Sequence, residues 1–419
     1  MKDSYPDQIQ SAGNGQNRSI IALILSASAT LLLAVAMGLS VVIIPTTLKN
    51  NGISNTLIGL IMSLETIASI LISFFFPMLL HFISMKTGLI LSTVLRIPSL
   101  LLLAYTSNPF IWALAVFLNS VGCFSFLILL QTWIVGLKFK RNQGLMVALY
   151  STSLSLGLAM GPILLEYAGK LLSLVPPDIK DFIIKQTLTS DVTLHGMSPR
   201  FYFILTASIS LLALLPIIMG FVYIPSFKFK GSGDIWKSIM HAKGPMFAIA
   251  MAGVSFFGVS AFITLYGLKN QLTLQESALL LTCFMMGSLL LEAPMGWVSD
   301  YIDRRYVIVI AAFLSMLCAV YLPIAIYVNY QAFILLFIWG GVIGAIYSTS
   351  LALIGDKYEG EALVAANAGY SLMEAAGGTV GILLIGYTMD AFGSDGLPYV
   401  IMLASIVFFS FALTRYRVV

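Results

Sequence analysis

From residue 19 onward the chain alternates long apolar runs with short polar connections, a rhythm that repeats to the C-terminus. The runs are about 20 residues or longer, the length that crosses a hydrocarbon layer of roughly 30 Å at about 1.5 Å per residue. Barrel strands would be about half as long and alternating, so each run is predicted to be a helix that satisfies its own backbone in lipid. The pattern places twelve transmembrane helices near residues 20–48, 54–80, 87–106, 109–137, 144–170, 200–224, 244–268, 274–299, 306–328, 331–355, 362–389 and 397–414.

Composition agrees, because 59% of the 419 residues are apolar and only 10% charged, more than one water-soluble core could hide. Met1 to Arg18 is polar and shows no small-residue cleavage site, so the first run is expected to remain as a span. Cys123, Cys283 and Cys318 fall inside apolar runs and read as small core residues. His81, His195 and His241 are scattered, so neither a metal site nor a cofactor is expected.

The placement of charge gives orientation. Fifteen Lys and Arg lie on one set of connections and six on the other, with Arg96 inside a span. That bias puts both termini in the cytoplasm, in a multi-pass protein expected in the cytoplasmic membrane. Two connections have character of their own. Residues 171–199 carry Pro176-Pro177 followed by Ile179, Phe182 and Ile183, suggesting a short interfacial helix. Residues 225–243 carry Trp236, Ile239 and Met240 on one expected face and serve as the linker between halves.

An internal repeat organises the whole. A shift of 220 residues pairs Gly38 with Gly258, Ser40 with Ser260, and Leu48-Lys49-Asn50 with Leu268-Lys269-Asn270. The same shift pairs Tyr150-Ser151 with Tyr370-Ser371, Gly157 with Gly377, Gly161 with Gly381 and Tyr167 with Tyr387. Six spans per copy make the copies parallel, related about the membrane normal. The expected division is a tail at 1–19, an N-terminal half at 20–224, a linker at 225–243 and a C-terminal half at 244–419: an all-α membrane protein of two six-helix halves.

The sharpest local motif runs from Gly296 to Arg305, Gly-Trp-Val-Ser-Asp-Tyr-Ile-Asp-Arg-Arg. It resembles the Gly-x-x-x-Asp loop signature of the major facilitator superfamily. The preceding Leu291-Glu292-Ala293-Pro294-Met295, with Gly59-Leu60-Ile61-Met62-Ser63, is similar to the YcaD-like bacterial branch of that superfamily. The resemblance implies a cytoplasmic gate formed by Gly296, Asp300, Arg304 and Arg305, in which Asp300 faces the N-terminus of the eleventh span, Arg304 answers nearby carboxylates, and Glu292 belongs to the same cluster. In the first half, Pro77, His81 and Met85-Lys86 replace the residues usual in that loop. Gly157-x-x-x-Gly161-Pro162 resembles part of the antiporter motif, but Leu164 and Leu165 replace later glycines; taken alone it reads as helix packing.

Charges at mid-membrane cost about 2.5 to 3.5 kcal/mol on the insertion scale, so Glu65, Arg96 and Glu374 are the coupling or substrate candidates. Glu65 and Arg96 lie on adjacent spans near the same depth; a structural pair and a functional one both fit. Glu374 has no basic residue in its own span; a proton carrier and a neutral, hydrogen-bonded core carboxyl both fit. The superfamily resemblance also implies that spans one, four, seven and ten line a cavity, with Ser40, Asn119, Gln131, Ser260, Tyr266, Trp339 and Tyr347 as its polar and aromatic members.

A phosphate-binding Gly-rich loop, a zinc-binding His-Glu-x-x-His and a nucleophile elbow are all absent from the sequence. The reading is a secondary transporter of a small molecule, with protons and the lipid bilayer as partners and no role for nucleic acid. A membrane sensor or assembly partner of the same fold is the alternative, a membrane enzyme the weakest. Efflux and uptake, and the oligomeric state, are open from sequence.

Overall fold

The computed structural model describes residues 5–136, 152–165, 167, 198–224, 235–328, 330–355, 357–358 and 360–415. Among these, the N-terminal half contains α1 (Tyr5–Asn50), α2 (Asn55–Phe82), α3 (Met85–Tyr105), α4 (Pro109–Gly136), α5 (Thr152–Leu165), α6 (Pro199–Leu212) and α7 (Leu214–Met219). After a short α8 (Ile235–His241), the C-terminal half contains α9 (Lys243–Lys269), α10 (Leu274–Tyr301), α11 (Arg304–Ala325), α12 (Gln331–Gly355), α13 (Gly360–Ala391) and α14 (Gly396–Arg415).

Eleven helices among the described residues are long and apolar enough to cross a membrane. The described part of the predicted fifth span is the shorter apolar helix α5. Large apolar side chains such as Phe110 and Val222 stand exposed around the bundle, as lipid-facing residues must. Outside the fifth span, whose predicted ends lie beyond the described residues, the predicted boundaries hold with two differences of physical origin. Helix α1 begins at Tyr5, since a polar stretch can continue the helix beyond the apolar run that starts near Ile20. The sixth span is split at Ala213, because Pro216 lacks a backbone donor and its ring crowds the carbonyl one turn earlier.

Two glycines of the repeat, Gly161 and Gly381, fall at close helix crossings. Gly161 lies against Gly38 and Leu39 of α1, so that a Cβ at Gly161 would run into the α1 backbone. Its repeat counterpart Gly381 meets Val254 of α9, where a Cβ would come within 2.8 Å of both Cα and carbonyl oxygen. Small residues at these crossings let backbones touch, which is the packing that holds helices together in lipid. Sequence identity has thus been kept at the contacts that hold each half together.

Among the described residues, the halves meet where α2 packs on α13, with a further contact between α1 and α9. The short α8 differs from the expected single apolar face. Ile239 is buried against Gly369 of α13, while Trp236 and Met240 point outward from the bundle. Residues 168–197, including the expected interfacial helix, lie outside the described residues.

Candidate functional site

A cavity of about 310 Å³ opens between the halves at mid-helix depth. Its wall records the repeat. Met37, Val41 and Glu65 line it, and so do their counterparts 220 residues on, Phe257, Ala261 and Met285. Phe124, Leu127 and Leu154 line it together with Gly344, Tyr347 and Glu374, which stand at the same offset. Equivalent positions of two parallel copies can face one space only where that space straddles the axis relating them. The cavity therefore sits on the pseudo-twofold axis, between the halves.

Of the three mid-membrane charges, Glu65 and Glu374 line this space. Arg96 is not in the wall. It is 1% exposed and lies behind Glu65, between α3 and α4, where its Nε donates to Asn119 Oδ1 at 3.3 Å. Its stem passes over Gly122, at which a Cβ would come within 2.6 Å of Arg96 Cγ. Its charge acts on Glu65, yet no hydrogen bond joins the two, since Nη1 and Nη2 have no partner among the described residues. Arg96 is a buried cation with donors to spare.

The seven cavity candidates from sequence separate clearly. Ser260 and Tyr347 are in the wall. Ser260 Oγ donates to the Phe256 carbonyl at 2.6 Å, and the Tyr347 carbonyl accepts from the Tyr370 hydroxyl at 2.7 Å. The other placements lie away from the wall. Ser40 returns its hydroxyl to the Ala36 carbonyl at 2.9 Å, Asn119 faces Arg96, and Trp339 donates to Ser315 Oγ at 3.0 Å. Tyr266 is fully buried towards the Asn50 end of α9, with its hydroxyl unpartnered among the described residues. A helix has several faces, and occupancy of a cavity-facing span does not say which face a residue takes. The side chain of Gln131 lies outside the described residues.

The gate motif is described in part. Its backbone forms the end of α10 and the start of α11, with Asp303 Oδ1 accepting from the Arg305 backbone N–H at 2.9 Å. Asp303, which the motif reading passed over, is thus the cap of α11. Arg304 is half-buried and Arg305 exposed, while the side chains of Glu292, Gly296 and Asp300 lie outside the described residues. In the first-half loop, Lys86 lies 4.6 Å over the ring of Phe221.

The opposite end of the bundle, where α1 finishes at Asn50, holds a closure that the sequence reading missed. Asp390, at the end of α13, sits over the N-terminus of α2. Its Oδ1 accepts from Asn55 N at 2.9 Å and from Asn55 Nδ2 at 2.6 Å. Its Oδ2 accepts from the Thr56 backbone and hydroxyl, both at 2.6 Å. A carboxylate at a helix N-terminus satisfies orphan N–H groups and meets the positive end of the helix dipole. Lys269 reinforces this end by donating to the Met389 carbonyl at 3.2 Å, and deeper in the seam Thr66 and Thr379 share a hydrogen bond of 2.7 Å. The signal was faint. Asp390 and Asn55 each mark the end of an apolar run, but nothing local joins residues 335 apart.

Two helical repeats around one cavity are also the plan of a known family. The family model described as Major Facilitator Superfamily matches residues 26–269 and 245–418. The chain belongs to the major facilitator superfamily. It is accordingly a multi-pass membrane transporter and not an enzyme. Among curated proteins it is similar to the uncharacterized MFS-type transporter YfkF of Bacillus subtilis (strain 168), 23% identical over 378 residues that cover 88% of each chain. Two solved structures share the fold. A variant of the nucleoside transporter NupG has a TM-score of 0.73 at 12% identity, over 94% of this chain and 100% of that one. A bacterial homolog to the human lysosomal transporter Spinster, in an inward-facing and unoccupied conformation, has a TM-score of 0.74 at 13% identity, over 95% and 96%. The Escherichia coli fucose:proton symporter FucP follows at 0.60 and 18%, over 96% and 100%.

Proposed function

We propose that this superfamily member moves a small molecule across the cytoplasmic membrane by alternating access coupled to protons, with Glu374 and the Glu65 and Arg96 pair responding to substrate or proton. The observation that carries the reading is the cavity on the repeat axis, walled by equivalent residues of both halves and charged by one carboxylate from each. Two rigid halves that rock about such a site expose it to alternate sides. A fucose:proton symporter among the fold's neighbours lends the proton its precedent.

The Lys and Arg bias supports cytoplasmic termini, which makes the Asn50 end the outer one. On that orientation the Asp390 contacts close the outside, and the conformation is inward-facing. Residues 225–243 are proposed to tether the halves while they rock, and the Gly296 to Arg305 loop is proposed to close the inside in the opposite state. The loop and its Leu291 to Met295 lead-in also support a place in the YcaD-like branch.

Spin labels at Asn51→Cys and Ala391→Cys, both exposed positions, test the motion. Alternating access gives two distance populations, and Asp390→Asn is expected to enlarge the longer one. A single distance under every condition refutes the transport cycle and favours a static sensor or assembly partner. Coupling is tested with Glu374→Gln in proteoliposomes, using a compound selected from a metabolite-and-drug thermal-shift panel. Counterflow at saturating substrate should survive while gradient-driven accumulation is lost; unchanged accumulation removes Glu374 from the proton path.

A further inference from the structure

We infer that the cavity binds an amphipathic organic cation, its charge directed to the α2 and α13 side and its apolar body to the α5 and α10 side. The inference rests on the transport reading of this same cavity and adds the chemistry of what it carries.

The repeat shows how the wall is polarised. At one pair of equivalent positions α2 supplies Glu65 and α10 supplies Met285; at another, α13 supplies Glu374 and α5 supplies Leu154. Each copy has kept a carboxylate where the other has an apolar side chain, and all four residues face the cavity. The result is lopsided. Among the described contacts between the halves, α2 and α13 pack together, joined through Thr66, next to Glu65, and Thr379, one turn and a half from Glu374. Both acids therefore flank one seam, and their apolar counterparts stand on the two helices that the repeat symmetry sets across from it.

No Lys, Arg or His is among the lining residues described. Arg96 lies behind Glu65, out of reach of a ligand, and counters part of that charge, leaving Glu374 as the main anchor for one cationic head. An anion entering this space would face two carboxylates across a medium of low dielectric, where like charges repel strongly. The rest of the wall suits an apolar cation. Phe256 and Phe257 stand edge to face at 5.4 Å between ring centres, Phe124 and Tyr347 face the cavity, and Met37 and Met285 supply polarizable thioethers. Aromatic faces attract cations, and thioethers adapt to varied apolar shapes. A volume of about 310 Å³ admits a compact aromatic or branched ligand.

Tetraphenylphosphonium and tetraphenylborate, near-identical in shape and opposite in charge, make the test on protein in nanodiscs, with binding to empty nanodiscs subtracted. Saturable phosphonium binding with no matching borate binding is expected. Glu374→Gln should weaken phosphonium about tenfold, Glu65→Gln less, and Glu374→Asp, which keeps the charge, should restore most of the affinity. Borate binding as tight as phosphonium binding overturns the proposal, as does unchanged phosphonium affinity in the Glu65→Gln/Glu374→Gln double variant. The charge-reversed pair needs no variant, so a misfolded mutant does not blunt the result. Phosphonium binding combined with a single spin-label distance would uphold the ligand class and overturn only the transport cycle. Two distances combined with equal borate binding would do the reverse.

Discussion

In the N-terminal half, α3 presents Arg96 to Asn119 of α4 at 3.3 Å; in the C-terminal half, α11 presents Ser315 to Trp339 of α12 at 3.0 Å. Asn119 and Trp339 are equivalent in the repeat, and Ser315 stands one residue from Met316, the counterpart of Arg96. The same junction of third and fourth helices is thus built twice. In the C-terminal copy a buried indole fills it, satisfied by one hydroxyl and packed edge to face on Phe284 at 6.4 Å. In the N-terminal copy a guanidinium fills it, with two nitrogens unpartnered among the described residues and Gly122 making room where the other copy has Val342.

The comparison separates folding from function. An apolar solution for this junction exists in the same molecule, so the fold does not require the charge. Burying a cation without full hydrogen bonding costs stability that well-packed apolar residues would not. Arg96 is then best understood through what it faces, the carboxylate of Glu65 on the cavity wall.

Four substitutions break or sharpen that contrast. Trp339→Ala has the largest expected effect on stability, about 3–5 kcal/mol, because a large side chain leaves a packed site; a thermal midpoint in detergent reads it. Arg96→Met imposes the other copy's residue. It should raise the midpoint, on the scale of about 1–4 kcal/mol for replacing buried charge by apolar bulk, while transport falls about tenfold. A loss of stability together with intact transport would make Arg96 a structural residue. Gly122→Val, again the other copy's residue, should cost about 1–3 kcal/mol by crowding the Arg96 stem. The same change should be nearly neutral in an Arg96→Met background, a coupling measurable by a double-mutant cycle. Ser315→Ala removes the hydrogen bonds to Trp339 and Ser405, about 0.5–1.5 kcal/mol each, with no change in transport.

Reading the sequence reached the helices readily, since lipid demands long apolar runs and each run announces itself. The halves were legible as well, through glycines that the structure places at helix crossings. Side-chain direction was not. Glu65 and Glu374 were singled out because charge in an apolar run is conspicuous, and both face the cavity. Trp339 and Asn119 were chosen by span alone and face other helices. Asp390 went unnoticed because its partners lie on the far side of the chain's order.

The sequence by itself determined that this chain lives in lipid, as many helices in two parallel copies, because hydrophobic length and repeat spacing are properties of the chain in one dimension. Tertiary structure alone decided that the copies enclose a cavity on their shared axis, that both acids sit beside one seam, and that Asp390 fastens α13 to α2. Those facts depend on which faces of the helices meet, and a face is fixed only when every helix has packed against its neighbours.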